Sequence, residues 1–393
     1  MAFTLQPAVK DDFVDREDIL ADMLTTLKDE SIRMGFALVG PRRIGKTSIL
    51  NEVMRRLEGE KGIVPVYFSI WDIVENTLPE LCTRITLSII EGFKPHLSLK
   101  LKVKQLLKVP VLKFFEVLRS LDIKLSLFDE IEIALKMGKA GEIDANTLIE
   151  KVFLFGDKIA EENGVQLILM LDEFPSIMDI KNKIKLGEGI IKKVRTIYEG
   201  LENTILCISG SVRKTMEITA LSPSSAFYRQ FIIKNIGPFD IEAATKVLEN
   251  NLSSIKLDTE AINRFHELTG GIPFYLQFLG RELGRFGVET IDLTEIENSF
   301  DQFLLQEGDI LFAEQINSFS DKEKMILSRM ACYGLKTPVE IQKSSGEPSN
   351  VISRYMEYFL SKGVLQREKK GIYQFTDPVF KVWLKRRCMP TNL

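Results

Sequence analysis

The 393-residue chain is 45% apolar and 27% charged, with 25 Gly and 14 Pro, which excludes disordered, collagen-like and low-complexity material and provides for two or three domains. Four scattered cysteines without a CxxC pair argue against a disulfide scaffold or zinc knuckle, and two histidines leave little for His-based triads. The net charge of −3 is uneven: residues 320–393 carry 14 Lys and Arg against 7 Asp and Glu, a balance of +7 on a body of −10. Such a tail suits a polyanionic partner and equally a solubilising surface. No run of about 18 apolar residues occurs, so no membrane partner is expected. The start MAFTLQPAVKDDF has no basic-then-apolar leader, and a reducing cytoplasm is the expected location.

Short apolar runs rich in β-branched residues occur at 36–39, 64–69, 165–171 and 204–209, with a weaker fifth at 231–236. Longer helical patterns separate them, which predicts a buried parallel sheet covered on both faces, an α/β core. The first run leads into Gly40-Pro41-Arg42-Arg43-Ile44-Gly45-Lys46-Thr47, the P-loop spacing G-x-x-x-x-G-K-[ST], with Ser48 opening an amphipathic helix. The glycines let backbone N–H groups face phosphates at a helix N-terminus. Lys46 is expected on the β- and γ-phosphates and the Thr47 hydroxyl on Mg²⁺.

Residues 95–140 form an expected insertion, with alternating strands at 97–103 and 123–127 flanking a helix at 109–121. Its Lys100, Lys102, Lys104 and Lys108 suit a solvated strand face, with contact to nucleic acid as the alternative. The third run ends in Asp172-Glu173, the Walker B pattern, with Asp172 for the Mg²⁺ shell and Glu173 to deprotonate an attacking water. Next comes Ser209-Gly210-Ser211, where either serine can serve as a γ-phosphate sensor. Arg229 is a candidate phosphate-sensing arginine in cis or across a subunit interface, with Arg213 its rival. Trp71 and Trp383 are expected in a core or an interface.

After Gly237-Pro238-Phe239 the strands give way to helical periodicity broken at Gly270-Gly271-Ile272-Pro273. Three units are predicted: a core at 1–239, a helical lid at 240–318, and a winged helix-turn-helix at 319–393 with helices near 321, 338 and 349–362 and a hairpin at 364–375. If that module binds duplex DNA, Ser349, Asn350, Ser353 and Arg354 face the groove, and Arg367, Lys369 and Lys370 meet phosphates. The apolar content of its third helix suits packing or partner binding instead.

Together these residues resemble the archaeal ATPase family, within the STAND branch of AAA+-like P-loop ATPases. Phe13-Val14-Asp15-Arg16-Glu17 is similar to that branch's amino-terminal motif near the adenine, with Asp15 where Gly is usual. Gly40 to Ser48 and Leu171 to Phe174 resemble its Walker A and B segments. Gly271-Ile272-Pro273 matches its GxP motif, whose proline packs near the nucleotide, and Ser222-Pro223 through Tyr228-Arg229 is similar to a segment ending in an arginine. The resemblance implies sheet order 5-1-4-3-2, a helical lid and a terminal winged helix. It also implies Mg²⁺-dependent binding and slow hydrolysis of ATP to ADP, driving a conformational switch. The alternatives are a DNA-binding regulator in which nucleotide only sets conformation, and an ATP-gated oligomer or scaffold recruiting a protein partner.

Overall fold

The computed structural model describes residues 3, 5–96, 145–182, 184–211, 216, 219, 224–252, 256–285 and 290–388. The expected insertion, from residue 97 onward, lies outside them, as do Arg213, Ser222 and Pro223. Five strands form one parallel sheet: β1 (Gly35–Val39), β2 (Ile63–Ser69), β3 (Gln166–Asp172), β4 (Thr204–Gly210) and β5 (Phe231–Asn235). Their order is 2-3-4-1-5, the expected order taken from the other edge. β1 and β4 are buried along their whole length, which is why their sequences are apolar without alternation. β5 lies at the sheet edge and alternates in exposure, so its apolar run is the weakest of the five.

Alternate residues of the sheet feed two cores. Ile168, Met170, Ile205 and Cys207 face α1 (Glu17–Lys28) and α2 (Lys46–Leu57). Leu167, Leu169, Leu171, Leu206 and Ile208 face α3 (Leu78–Phe93), α4 (Ala145–Glu162) and α5 (Glu188–Tyr198). The first core runs on through four further helices, α6 (Ile241–Asn251), α7 (Thr259–Thr269), α8 (Pro273–Arg285) and α9 (Leu293–Asn317). Asp240, Asp258 and Asp292 cap α6, α7 and α9, each side chain accepting from first-turn N–H groups.

The same core continues into the carboxyl-terminal module: α10 (Asp321–Tyr333), α11 (Pro338–Ser345), α12 (Ser349–Ser361), an antiparallel ribbon of β6 (Leu365–Lys369) and β7 (Ile372–Phe375), and α13 (Pro378–Arg386). The first five match expectation. The sixth, α13, was not foreseen, although Asp377-Pro378 is a cap followed by a proline at the first helical position. Trp383 of α13 is buried against Gly308 of α9, its indole N–H donating to Asp309 Oδ1 at 2.8 Å. Trp71 is 55% exposed, so of the core and interface places expected for the two tryptophans Trp383 takes the core. Because the end of α13 returns along α10, Cys332 and Cys388 meet in a disulfide with Cα atoms 6.3 Å apart. Sequence spacing of 56 residues carried no sign of this pairing. No helix among the described residues is long and apolar enough to cross a membrane.

Two pairs of contacts fix the parts that flank the sheet's carboxyl ends. The amino-terminal arm crosses α2: Ala8 N–H donates to Ser48 Oγ at 3.1 Å and Lys10 N–H to Glu52 Oε2 at 3.0 Å. Glu52 has no exposed surface and also accepts from Arg55 and Arg56, foremost Arg55, so its carboxyl falls to about 2. At the junction with α6, Phe239 N–H donates to Gly271 O at 2.8 Å while its own carbonyl meets His266 Nε2 at 2.9 Å. Gly271 has φ 65°, and a Cβ there would lie 2.2 Å from Phe239 O.

Two outcomes follow. Glu52→Gln should destabilise the protein most near neutral pH. The deficit should shrink as pH falls from the ordinary carboxyl value of 4.5 toward about 2, where wild-type Glu52 takes up its proton; urea unfolding across that range measures it. Gly271→Ala should cost more than about 1 kcal/mol in a denaturant titration, since both the left-handed backbone and the Phe239 carbonyl oppose a side chain.

Candidate active site

The loop at 40–45 joins the carboxyl end of β1 to the N-terminus of α2. Gly40 has no room for a side chain, because a Cβ would lie 2.4 Å from Ile236 O. Ile44, 1% exposed, anchors the loop in the first core. Arg43 and Gly45 have φ of 67° and 96°, two left-handed positions of the kind from which backbone N–H groups can be presented to an anion. Lys46 is buried, with Nζ donating to Gly40 O at 3.1 Å and Pro41 O at 2.9 Å. Burial lowers its pKa, while the Glu173 and Asp172 charges work in the other direction. Arg42 lies over the Trp71 ring at 5.2 Å.

Asp172, the last residue of β3, is 3% exposed and takes four donors. Thr47 Oγ1 at 2.6 Å and Tyr67 OH at 2.9 Å reach Oδ2. Ser209 Oγ and the Glu173 N–H, the latter at 3.1 Å, reach Oδ1. Burial, then the Asp172 charge, pushes the Tyr67 phenol up and keeps it a donor. Glu173 follows in the left-handed region at φ 49°, with Oε2 accepting from Ser211 Oγ at 3.0 Å. Burial raises its carboxyl pKa, opposed by Lys46, Ser211 and Arg42 and reinforced by Asp172. The two serines that sequence left unresolved thus divide, Ser209 to Asp172 and Ser211 to Glu173.

The oxygen donors fit Mg²⁺. A hydroxyl and a carboxylate at 2.6 Å are hard ligands of the kind that hold this ion together with substrate phosphates. Among the described residues no cluster of three or more His, Cys, Asp or Glu side chains offers a denser metal site. Glu173 lies beside this pair, its half-buried carboxylate held by Ser211.

Phe13 and Val14 pack, partly buried, on the first core. Asp15 and Arg16 have φ of 64° and 70°, so the position where Gly is usual demands a left-handed residue, a geometry that Asp tolerates. Arg16 Nη2 donates to Gly237 O at 2.5 Å, and its guanidinium sits 4.7 Å from the Phe239 ring centre. Burial lowers the Arg16 pKa against the pull of Asp15, Asp18 and Asp240. Pro273 opens α8 beside the loop, since the next N–H, of Phe274, donates to Arg43 O at 3.4 Å.

Arg43 itself is held from outside the sheet. Nη1 donates to Tyr275 OH at 2.6 Å and Nη2 to Leu311 O at 3.2 Å. Its guanidinium packs at 5.1 to 5.5 Å from the ring centres of Phe274, Tyr275 and Phe312, and Asp377 Oδ2 lies 3.8 Å from Nη1. A non-glycine residue in the left-handed region costs of order 1–3 kcal/mol, which these contacts offset. Sequence reasoning missed Tyr67, Tyr275 and Asp377; only Asp377 had a local signal, its place before Pro378.

Arg229 is exposed, with its guanidinium 5.3 Å from the Tyr228 ring centre. It precedes Phe231, which pairs with Gly35 at the amino end of β1, whereas the loop follows Val39, paired with Asn235. Four strand steps of about 3.3 Å, roughly 13 Å, separate these ends. Arg229 therefore sits at the end of the sheet opposite its own chain's loop.

The fold is similar to that of a Walker-type ATPase of Pyrococcus abyssi, at 20% identity and TM-score 0.70 over 98% of this chain and 100% of that one. It is also similar to the ORC2 protein of Aeropyrum pernix, at 12% identity and TM-score 0.54 over 94% of this chain and 91% of that one. No curated protein matches the chain in sequence. The family model for an ATPase domain predominantly from Archaea matches residues 13–279, well over half the chain. With its glycine loop and paired acids at the strand ends, the chain belongs to that family of ATPases.

Proposed function

We propose that the protein is a Mg²⁺-dependent ATPase that turns over slowly and works as a nucleotide-driven conformational switch of the STAND type. The observation that carries this is the convergence of Lys46, Thr47, Asp172, Glu173, Ser209 and Ser211 at the carboxyl ends of β1, β3 and β4. In this reading Gly40, Pro41, Arg42, Arg43, Ile44, Gly45 and Ser48 cradle the phosphates. Lys46 leaves the Gly40 and Pro41 carbonyls for the β- and γ-phosphate oxygens. Thr47 and Asp172 would hold Mg²⁺, which neutralises phosphate charge when bound. A water oxygen attacks the γ-phosphorus and the bond to the bridging oxygen of ADP breaks. The water proton goes to Glu173, which Ser211 orients. Ser209 keeps Asp172 in place. Phe13, Val14, Arg16 and Pro273 border the adenine side.

The position of Arg229 supports a role in trans. Its own loop lies at the other end of the sheet, so the phosphate it meets belongs to another copy of the chain. The same reading treats 1–239, 240–318 and 319–393 as core, lid and winged helix. A second reading, a regulator bound to duplex DNA, draws on the exposed Arg354, Lys369 and Lys370 of the +7 module. Against it, Arg367 is tied to Glu357, and Lys322 and Lys336 are paired with Glu347 and Glu368 at 2.9 and 3.4 Å.

Lys46→Ala should lose nucleotide binding in calorimetry, and Glu173→Gln should bind ATP yet lower steady-state turnover at least about 100-fold. Unchanged turnover in Glu173→Gln would refute the base assignment. Added duplex DNA should leave turnover unchanged; salt-sensitive stimulation that disappears with Arg354→Ala would favour the second reading.

A further inference from the structure

Arg43 belongs to the phosphate loop, yet its anchors come from α8, α9 and the residue that caps α13. Tyr275 is fully buried, and its hydroxyl bridges the two partners: it accepts from Arg43 Nη1 at 2.6 Å and donates to Asp377 Oδ2. The other carboxyl oxygen, Oδ1, accepts from Val379 and Phe380 N–H at 2.9 and 3.0 Å, starting α13. At the same joint Pro378 fills the space a Cβ on Gly270 would need, at 2.4 Å, so the module is wedged against the turn that leads into α8. The chain Arg43–Tyr275–Asp377 is thus a continuous polar link from the loop, through the lid helices, to the carboxyl-terminal module.

From this we infer that Tyr275 and Asp377 are positioning residues for the nucleotide site, acting through Arg43. The inference rests on the reading of the loop as that site. Arg43, at φ 67°, sets the course of the phosphate loop from a backbone region that an unanchored arginine would leave. Docking of α13 holds the loop in its anion-binding form, and phosphate in the loop favours the docked module. The two equilibria are coupled with one and the same factor in both directions, as linkage requires.

The test uses the full chain with MgADP as the probe and two conservative variants. Tyr275→Phe keeps the ring and removes the bridging oxygen. Asp377→Asn keeps a capping oxygen and removes the charge. In the wild type, MgADP should slow hydrogen exchange of the α13 amides about 5-fold or more. In Tyr275→Phe that slowing should largely vanish, and MgADP affinity should fall by a similar factor although the residue touches no nucleotide. Asp377→Asn should show the same loss of affinity, a readout independent of its own capping of α13. If wild-type α13 exchange ignores bound MgADP, or if Tyr275→Phe retains both the slowing and the affinity, the link is overturned while the proposed function stands. If the wild type binds no MgADP, the proposed function falls and the link with it.

Discussion

A carboxylate withdrawn from water must have its lone pairs filled, and Asp172 is where this chain meets that demand. Its four donors come from α2, β2, β4 and the following residue. Only a strand flanked by both β2 and β4 could receive Tyr67 from one side and Ser209 from the other, and β3 has that place. The neighbour beyond β4 is β1, so the phosphate loop arrives at the same end of the sheet. The strand order and the filling of one buried carboxylate are thus two descriptions of a single constraint. Lys46 answers the accompanying charge: without a ligand its ammonium would be stranded in a dry site, and the Gly40 and Pro41 carbonyls supply the missing partners.

The strained backbone of the molecule gathers around this centre. Among the described residues seven non-glycine positions have positive φ, and four of them, Asp15, Arg16, Arg43 and Glu173, line the candidate site. Three have an external anchor: Arg16 at Gly237 and Phe239, Arg43 at Tyr275, and Glu173 at Ser211. Strain of this kind persists only where surrounding contacts over-determine it. The site is therefore supported by residues far away in sequence, Tyr275 of α8 the most distant of these anchors.

That distance also explains what could be anticipated from sequence. The β1, β3 and β4 runs were legible because strands buried on both faces leave an unbroken apolar signature. The loop and the acid pair were legible because their chemistry needs fixed spacing along the chain. Strand order came through resemblance to a family, since periodicity names a buried face and never its neighbour. For the same reason the Tyr67–Asp172 contact, the Cys332–Cys388 pairing and the Arg43–Tyr275 contact left no local trace. Each joins residues tens to hundreds of positions apart. For α13 the one local sign is the Asp377-Pro378 start; the nine-residue helix buries Val379, Phe380, Trp383 and Leu384, contacts that no short stretch of sequence announces.

The two tryptophans divide the molecule optically. Trp71 is 55% exposed, lies over Arg42 of the phosphate loop and donates its indole N–H to Ser176 Oγ at 3.0 Å. Trp383 is 3% exposed and belongs to α13, with its indole on Asp309. A water-soluble quencher reaches the first and is kept from the second, and the exposed indole emits at longer wavelength than the buried one. Without any label, the chain's intrinsic fluorescence separates a signal from the mouth of the loop and a signal from the seat of the terminal helix.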